Sequence, residues 1–213
     1  MIYKLIDYIS LIGYVILFFN TVCFSLTKIK ERPYLILTIY LFFIISIEIL
    51  GNYYQNEKNG NLFLTHYYFI IQSIFLSIFY YLIINNTFLK KTIKIVLPAT
   101  LFSLAIQYYF YPELYHVFNV FEIFICIIPL VVYSLVHLFQ TLGGNNKKYI
   151  YITSGVLIYF LPHALVFSSG NLMPNLPKKT NQIIWLVNVL LYVVFLLLIT
   201  VEWYKNFRRK DSN

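Results

Sequence analysis

Charged residues are scarce in this chain of 213 residues, and acidic ones are the scarcest. Asp, Glu, Lys and Arg make up 11% of the sequence, whereas hydrophobic residues make up 60%. A soluble domain typically carries about 25% charged residues and about 45–50% apolar ones. The composition therefore excludes a water-soluble enzyme and a soluble nucleic-acid-binding domain.

Cysteine is almost absent, and so are the short motifs of common membrane enzymes. Cys23 and Cys126 both lie inside apolar runs, and the sequence contains no CxxC, HExxH, HxxxH or GxSG motif. Two such cysteines do not form a disulfide framework, and small buried apolar side chains are the simplest role for them. The sequence thus offers no motif that by itself indicates catalysis or metal binding.

Long apolar runs dominate what is present. They cover residues 5–26, 35–55, 62–86, 93–111, 116–141, 149–169 and 182–204. At about 1.5 Å per residue, each is long enough to cross a hydrocarbon core about 30 Å thick, and the alternation typical of a membrane β-barrel is absent. The sequence predicts an all-α fold, an integral membrane bundle of seven transmembrane helices in one domain, 1–213.

The first apolar run differs from a cleavable signal peptide. It is longer than the usual hydrophobic region of such a peptide, only Lys4 precedes it, and no small-residue cleavage site follows. We expect this helix to remain in the mature protein.

Basic residues alternate between the two sides of the predicted bundle. Those that follow the first, third, fifth and seventh runs are twelve of the sixteen, namely Lys28, Lys30, Arg32, Lys90, Lys91, Lys94, Lys147, Lys148, Lys205, Arg208, Arg209 and Lys210. The opposite side has Lys4, Lys58, Lys178 and Lys179. Because cytoplasmic loops are enriched in Lys and Arg, the pattern predicts an outside N-terminus and a cytoplasmic C-terminus in the cell (inner) membrane. The net charge of +8 then comes from the basic residues that orient the protein in the membrane. No nucleic-acid partner is expected.

Polar residues of several predicted helices are expected to share one layer in the outer half of the membrane. Counted from the span ends, five residues lie about 6–10 Å below the outer edge: Glu48, His66, Glu122, His163 and Asn188. Asn52 lies one helical turn above Glu48. Ionisable residues inside a membrane are costly and indicate function by default. The predicted outward-facing ligand pocket comprises Glu48, Asn52, His66, Glu122, His163 and Asn188.

Three functions fit such a layer. The first is a ligand- or proton-responsive, sensor-like module that signals to a membrane or cytoplasmic partner. The second is a metal-dependent membrane hydrolase, because His and carboxylate ligands suit a divalent ion. The third is a small transporter or channel, for which the inner half offers Asn20, His137 and Glu202 as its obvious polar steps. The same residues also fit a structural role, in which they pair with each other and hold the helices together in lipid.

The predicted topology resembles that of microbial rhodopsins and other heptahelical receptors. Rhodopsins bind retinal through a lysine in the seventh helix, but residues 183–202 contain no lysine, so no retinal is expected. The size resembles that of heptahelical zinc hydrolases that act on lipids, but their paired histidines one helical turn apart are missing. Neither resemblance implies a catalytic residue here.

Three short segments are similar to those of small seven-helix bacterial inner-membrane proteins of unassigned function. They are Glu48-Ile49-Leu50-Gly51-Asn52, Gly155-Val156-Leu157-Ile158-Tyr159 and Asn188-Val189-Leu190-Leu191-Tyr192. This resemblance implies a multi-pass protein of a bacterial inner membrane and no particular chemistry.

Overall fold

The computed structural model describes residues 2–27, 30–54, 61–144 and 147–208. These residues form seven α-helices and contain no strand. The helices are α1 (Ile2–Leu26), α2 (Arg32–Tyr54), α3 (Phe63–Ile83), α4 (Thr87–Phe110), α5 (Val120–Leu142), α6 (Ile150–Ser168) and α7 (Lys178–Asn206). Short 3₁₀ helices, Pro112–His116 and Gly170–Asn175, precede α5 and α7.

Each of the seven helices is long and apolar enough to cross a membrane. Many of their large apolar side chains face outward, including Tyr8, Phe42, Phe102 and Leu165, which are each at least 60% exposed. A soluble protein rarely exposes apolar surface on this scale, so these faces suit lipid. The predicted all-α bundle of seven membrane-spanning helices is confirmed. The direction in which the bundle crosses the membrane stays a prediction. Four of the basic residues on which that prediction depends lie outside the described residues, namely Lys28, Lys58, Arg209 and Lys210.

Several helices begin elsewhere than their apolar runs predict, because polar caps set the boundaries. The Asn86 side chain accepts a hydrogen bond from the Leu89 amide at 3.0 Å, so α4 begins six residues before the predicted 93. The Asn119 side chain accepts from the Glu122 amide at 3.3 Å, so α5 begins at Val120 rather than 116. Asparagine is a favoured N-cap for this reason. The Lys residues of α4 therefore lie on its first turns rather than in a loop.

Six helices form a closed ring. In order around the ring they are α1, α2, α3, α5, α6 and α7, and α7 packs against α1. Helix α4 lies outside this ring and packs against α3 and α5. The start of α2 contacts the end of α7, and the starts of α3 and α5 contact each other. Asn119 at the start of α5 contacts Gln107 near the end of α4. This is the arrangement of helices that alternate in direction along the chain. We call the end at which α1, α3, α5 and α7 begin the N-terminal end, and the opposite one the C-terminal end.

At the C-terminal end, Glu202 of α7 joins three helices. It is fully buried, and its carboxylate accepts hydrogen bonds from the Tyr34 hydroxyl at 2.9 Å and from the Tyr149 and Tyr151 amides at 2.8 and 3.2 Å. The Asn206 side chain donates a fourth, at 2.8 Å. Because the first amides of a helix have no partner within it, Glu202 acts as the cap of α6. Tyr149 adopts the left-handed backbone conformation just before this helix, with φ of 62°.

Candidate ligand-binding cavity

A cavity of about 220 Å³ lies between α1, α2, α3, α6 and α7, near the N-terminal end of the ring. No described residue of α4 or α5 lines it. Its wall is mostly apolar, and each of the five helices contributes at least one polar side chain. The polar groups are hydroxyls, amides, one imidazole and one carboxyl group. These polar residues are Ser10, Tyr14, Glu48, Asn61, Thr65, Tyr68, Tyr159, His163, Asn188 and Tyr192.

Glu48 of α2 is the only charged residue among the described residues of the wall. Its side chain is partly buried, and neither of the ion pairs formed among the described residues includes it. Tyr14 of α1 lies in the same wall. A buried charge is normally paired. Among the described residues, however, this carboxyl group has no cationic partner.

Two polar atoms in the wall have no hydrogen-bond partner among the described residues. They are Nε2 of His163 and the hydroxyl oxygen of Tyr192. The two residues are only 2% and 9% exposed. Buried polar groups are nearly always hydrogen-bonded to protein or water. Their position in a cavity wall indicates a place where a ligand or ordered water completes the bonding.

The protonation of His163 follows from its one hydrogen bond. Its Nδ1 lies 3.1 Å from Oδ1 of Asn188, an oxygen that can only accept, so Nδ1 carries a proton and donates. In the neutral ring the other nitrogen, Nε2, then has a free lone pair and acts as an acceptor.

Aromatic rings surround His163. The ring centroids of Phe167, Tyr159 and Tyr68 lie 4.3, 4.6 and 6.0 Å from that of the imidazole. Tyr192 packs against Tyr159 with centroids 5.4 Å apart. The wall therefore presents several π faces close to the unpartnered nitrogen.

A second buried cluster lies outside the cavity, where α3, α4 and α5 meet. Nδ1 of His66 is 2.5 Å from Oε2 of Glu122, and the Tyr108 hydroxyl donates to the same oxygen at 2.6 Å. Nε2 of His66 donates to the Tyr115 carbonyl oxygen at 3.2 Å. His66 and Glu122 are 1% and 0% exposed.

The same cluster fastens α4 to the ring. Asn119, just before α5, donates to the Gln107 side-chain oxygen of α4 at 2.9 Å, and it also donates to the Tyr108 hydroxyl at 3.3 Å. Tyr115 of the 3₁₀ helix packs on Tyr108, with centroids 4.9 Å apart. Burial raises the pKa of Tyr115 to about 12, so its hydroxyl stays protonated near neutral pH. This cluster therefore holds α4, the helix outside the ring, against α3 and α5 through polar contacts.

The structure divides the six predicted site residues between these places. Glu48, His163 and Asn188 line the cavity, whereas His66 and Glu122 form the separate cluster. Asn52 is exposed, does not line the cavity, and donates to the Glu48 carbonyl oxygen at 3.0 Å. Position along a span gives the depth of a residue but not the side of the helix on which it lies, so one predicted layer becomes two sites.

Sequence reasoning missed most of the tyrosines in the cavity wall. Tyr14, Tyr159 and Tyr192 gave no signal, because each lies within an apolar run, where tyrosine is not unusual. Tyr68 near the start of α3 and Tyr109 near the end of α4 both lie where tyrosines of the membrane interface are common. Tyr68 lies in the wall, whereas Tyr109 is 81% exposed.

Buried polar pairs towards the C-terminal end were also unexpected. Gln72 donates to the Tyr40 hydroxyl at 3.4 Å, and Tyr80 and Ser134 are hydrogen-bonded at 2.6 Å. His137, one of the three polar residues predicted for this half, has an unpredicted partner in the Thr153 hydroxyl at 3.0 Å. This half of the bundle is therefore more polar than its three obvious residues predict.

Known sites give no further guide. Across the described ranges, no three His, Cys, Asp or Glu side chains lie close enough to hold a metal ion. Comparisons with protein-family models, with curated proteins and with solved structures found no match.

Proposed function

We propose that this multi-pass protein is a sensor-like module of a bacterial inner membrane that binds a small ligand in the outward-facing cavity of α1, α2, α3, α6 and α7. The observation that carries the proposal is the pair of unpartnered polar atoms, His163 Nε2 and the Tyr192 hydroxyl oxygen, in the wall of a cavity that also contains Glu48. Pockets between bundled helices are common ligand sites, with an apolar lining and few polar groups.

Helix α7 supplies a route by which the ligand acts on the opposite membrane face. Its Asn188 and Tyr192 line the cavity, and its Glu202 caps α6 and bonds Tyr34 at the C-terminal end. A ligand that prefers one position of α7 shifts the population towards it. The starts of α2 and α6 then change their contacts with Glu202, and a partner protein on the cytoplasmic side detects the new surface.

Thermal unfolding in detergent tests for the ligand site, with a set of small anionic, neutral and cationic compounds. At ten times the dissociation constant, a ligand of the native state raises the melting temperature by roughly 3–6 °C. We expect at least one compound to do so with the unaltered protein and not with Asn188→Leu. The matched control is Gln107→Leu, which replaces an amide outside the cavity and should keep the response. If every compound that stabilises the protein also stabilises Asn188→Leu equally, the cavity is not the site.

A small transporter is the second candidate, supported by the buried pairs Gln72–Tyr40, Tyr80–Ser134 and His137–Thr153. Together with the cavity they spread polar groups over both halves of the bundle. Reconstitution in proteoliposomes separates the two functions. Net flux of protons or of a stabilising compound that His137→Phe abolishes would favour transport, and binding without flux would favour the sensor.

A further inference from the structure

The cavity is small and carries one sign of charge. Pockets for drug-sized ligands typically measure about 300–1,000 Å³, and this one measures about 220 Å³. Among its described residues are one carboxylic acid, Glu48, and no Lys or Arg. An anionic ligand would meet no opposite charge there and would be repelled by ionised Glu48. Only a cationic ligand pairs with the ionised form of Glu48.

The aromatic wall favours the same sign. The faces of tyrosine and phenylalanine rings are electron-rich and attract organic cations, more strongly when water is excluded. Tyr68, Tyr159, Tyr192 and Phe167 all line the cavity, and three of these rings lie within 6.0 Å of the His163 ring, centroid to centroid.

His163 adds a requirement for a hydrogen-bond donor. Its Nδ1 donates to Asn188, so its unpartnered Nε2 accepts. The unpartnered hydroxyl oxygen of Tyr192 can also accept. A protonated amine has N–H groups for both, whereas a quaternary ammonium group has none.

We propose that the cavity binds a small protonated amine, whose ammonium group pairs with the Glu48 carboxylate and donates to Nε2 of His163. Its hydrocarbon part packs against the aromatic wall. This inference rests on the proposed ligand site and specifies its chemistry. The ligand supplies the positive charge that the described residues around Glu48 lack.

Three probes of similar shape and different charge test the proposal: 2-phenylethylamine, 2-phenylethanol and 3-phenylpropionate. Isothermal titration calorimetry in nanodiscs near neutral pH measures their affinities for the unaltered protein. Hydrogen bonds to charged groups are stronger than those to neutral groups, so we expect the amine to bind roughly tenfold or more tightly than the alcohol. The carboxylate should bind most weakly.

Variants of Glu48 then locate the effect. Glu48→Gln should weaken amine binding roughly tenfold or more, and Glu48→Asp, which keeps the charge, should retain most of it. Glu113→Gln removes an exposed carboxylate of the 3₁₀ helix before α5 and should have no effect. If Glu48→Gln fails to fold, the comparison of the three probes on the unaltered protein still decides.

Two results would overturn the proposal in different ways. If the alcohol or the carboxylate binds as tightly as the amine, the cavity binds ligands but does not select amines, and the proposed function survives. If none of the three binds, amine selection is wrong, and the proposed function then depends on the wider compound set and the Asn188→Leu comparison.

Discussion

Single buried polar side chains hold this bundle together at points where lipid offers no other partner. Glu122 is an example, because one of its oxygens accepts from both His66 and Tyr108. Polar contacts between membrane helices contribute about 0.6 kcal/mol on average, whereas removal of one partner from a buried ion pair costs about 3–5 kcal/mol. The Glu122 contacts lie between these two cases, since two other groups lose a shared acceptor but remain near an amide in the Gln variant.

We expect Glu122→Gln to lower the free energy of unfolding by about 1–3 kcal/mol, because Gln keeps the shape but not the charge that His66 and Tyr108 share. Unfolding in detergent, followed by circular dichroism, measures the difference. Glu113→Gln serves as the control, since an exposed substitution usually changes stability by less than about 0.5 kcal/mol. Equal stability of the two variants would mean that the His66–Glu122 pair has no structural role.

The sequence indicates which polar residues are buried far better than it indicates where they meet. Glu48, His163 and Asn188 were predicted from the cost of placing such groups in lipid, and all three line the cavity. His66 and Glu122 satisfied the same criterion and lie elsewhere. Because adjacent residues on a helix differ by about 100° in direction, only the packing of the faces decides which of them share a site.

At the scale of elements, close packing of α6 on α7 depends on one glycine. A Cβ atom at Gly155 would lie 2.8 Å from Cδ2 of Phe195, a ring that is 1% exposed. At Gly13 of α1, a Cβ would lie 3.6 Å from Tyr192 and Val193 of the same α7, an ordinary contact distance. The two glycines face one helix and differ in the space beside them.

Gly155→Ala should therefore destabilise the protein by about 1–3 kcal/mol, as overpacking of a filled interior does. Gly13→Ala should leave the melting temperature almost unchanged. Thermal unfolding of both variants in the same detergent makes the comparison. A smaller loss for Gly155→Ala than for Gly13→Ala would contradict the packing described for α6 and α7.

Helix number was predictable and helix arrangement was not. Long apolar runs identify the membrane spans directly, because lipid requires such lengths. The runs do not show that α4 lies outside the ring, and its boundary depends on Asn86 rather than on hydrophobicity. Neighbours in the ring follow from side-chain fit between helices, which no single run contains.

For the whole molecule, the charge pattern predicts a direction across the membrane. Lys147, Lys148 and Lys205 lie together at the C-terminal end, where they line one surface depression. Such clusters favour the cytoplasmic face.

We expect alkaline phosphatase fused to the C-terminus to be inactive in bacterial cells and a green fluorescent protein at that position to fluoresce. Phosphatase is active only outside the cytoplasm, so an active fusion would show the reverse orientation. The cavity would then face the cytoplasm.

The absence of α4 and α5 from the cavity wall has a consequence for biosynthesis. Helices α1, α2 and α3 leave the ribosome before α6 and α7, which supply the remaining wall, including Tyr192 of α7. Chains acquire structure from the N-terminus during synthesis, so the binding site does not exist until α7 has entered the membrane. A chain stopped after α6 can insert but cannot respond to the ligand, and a ligand present during synthesis stabilises only the finished product.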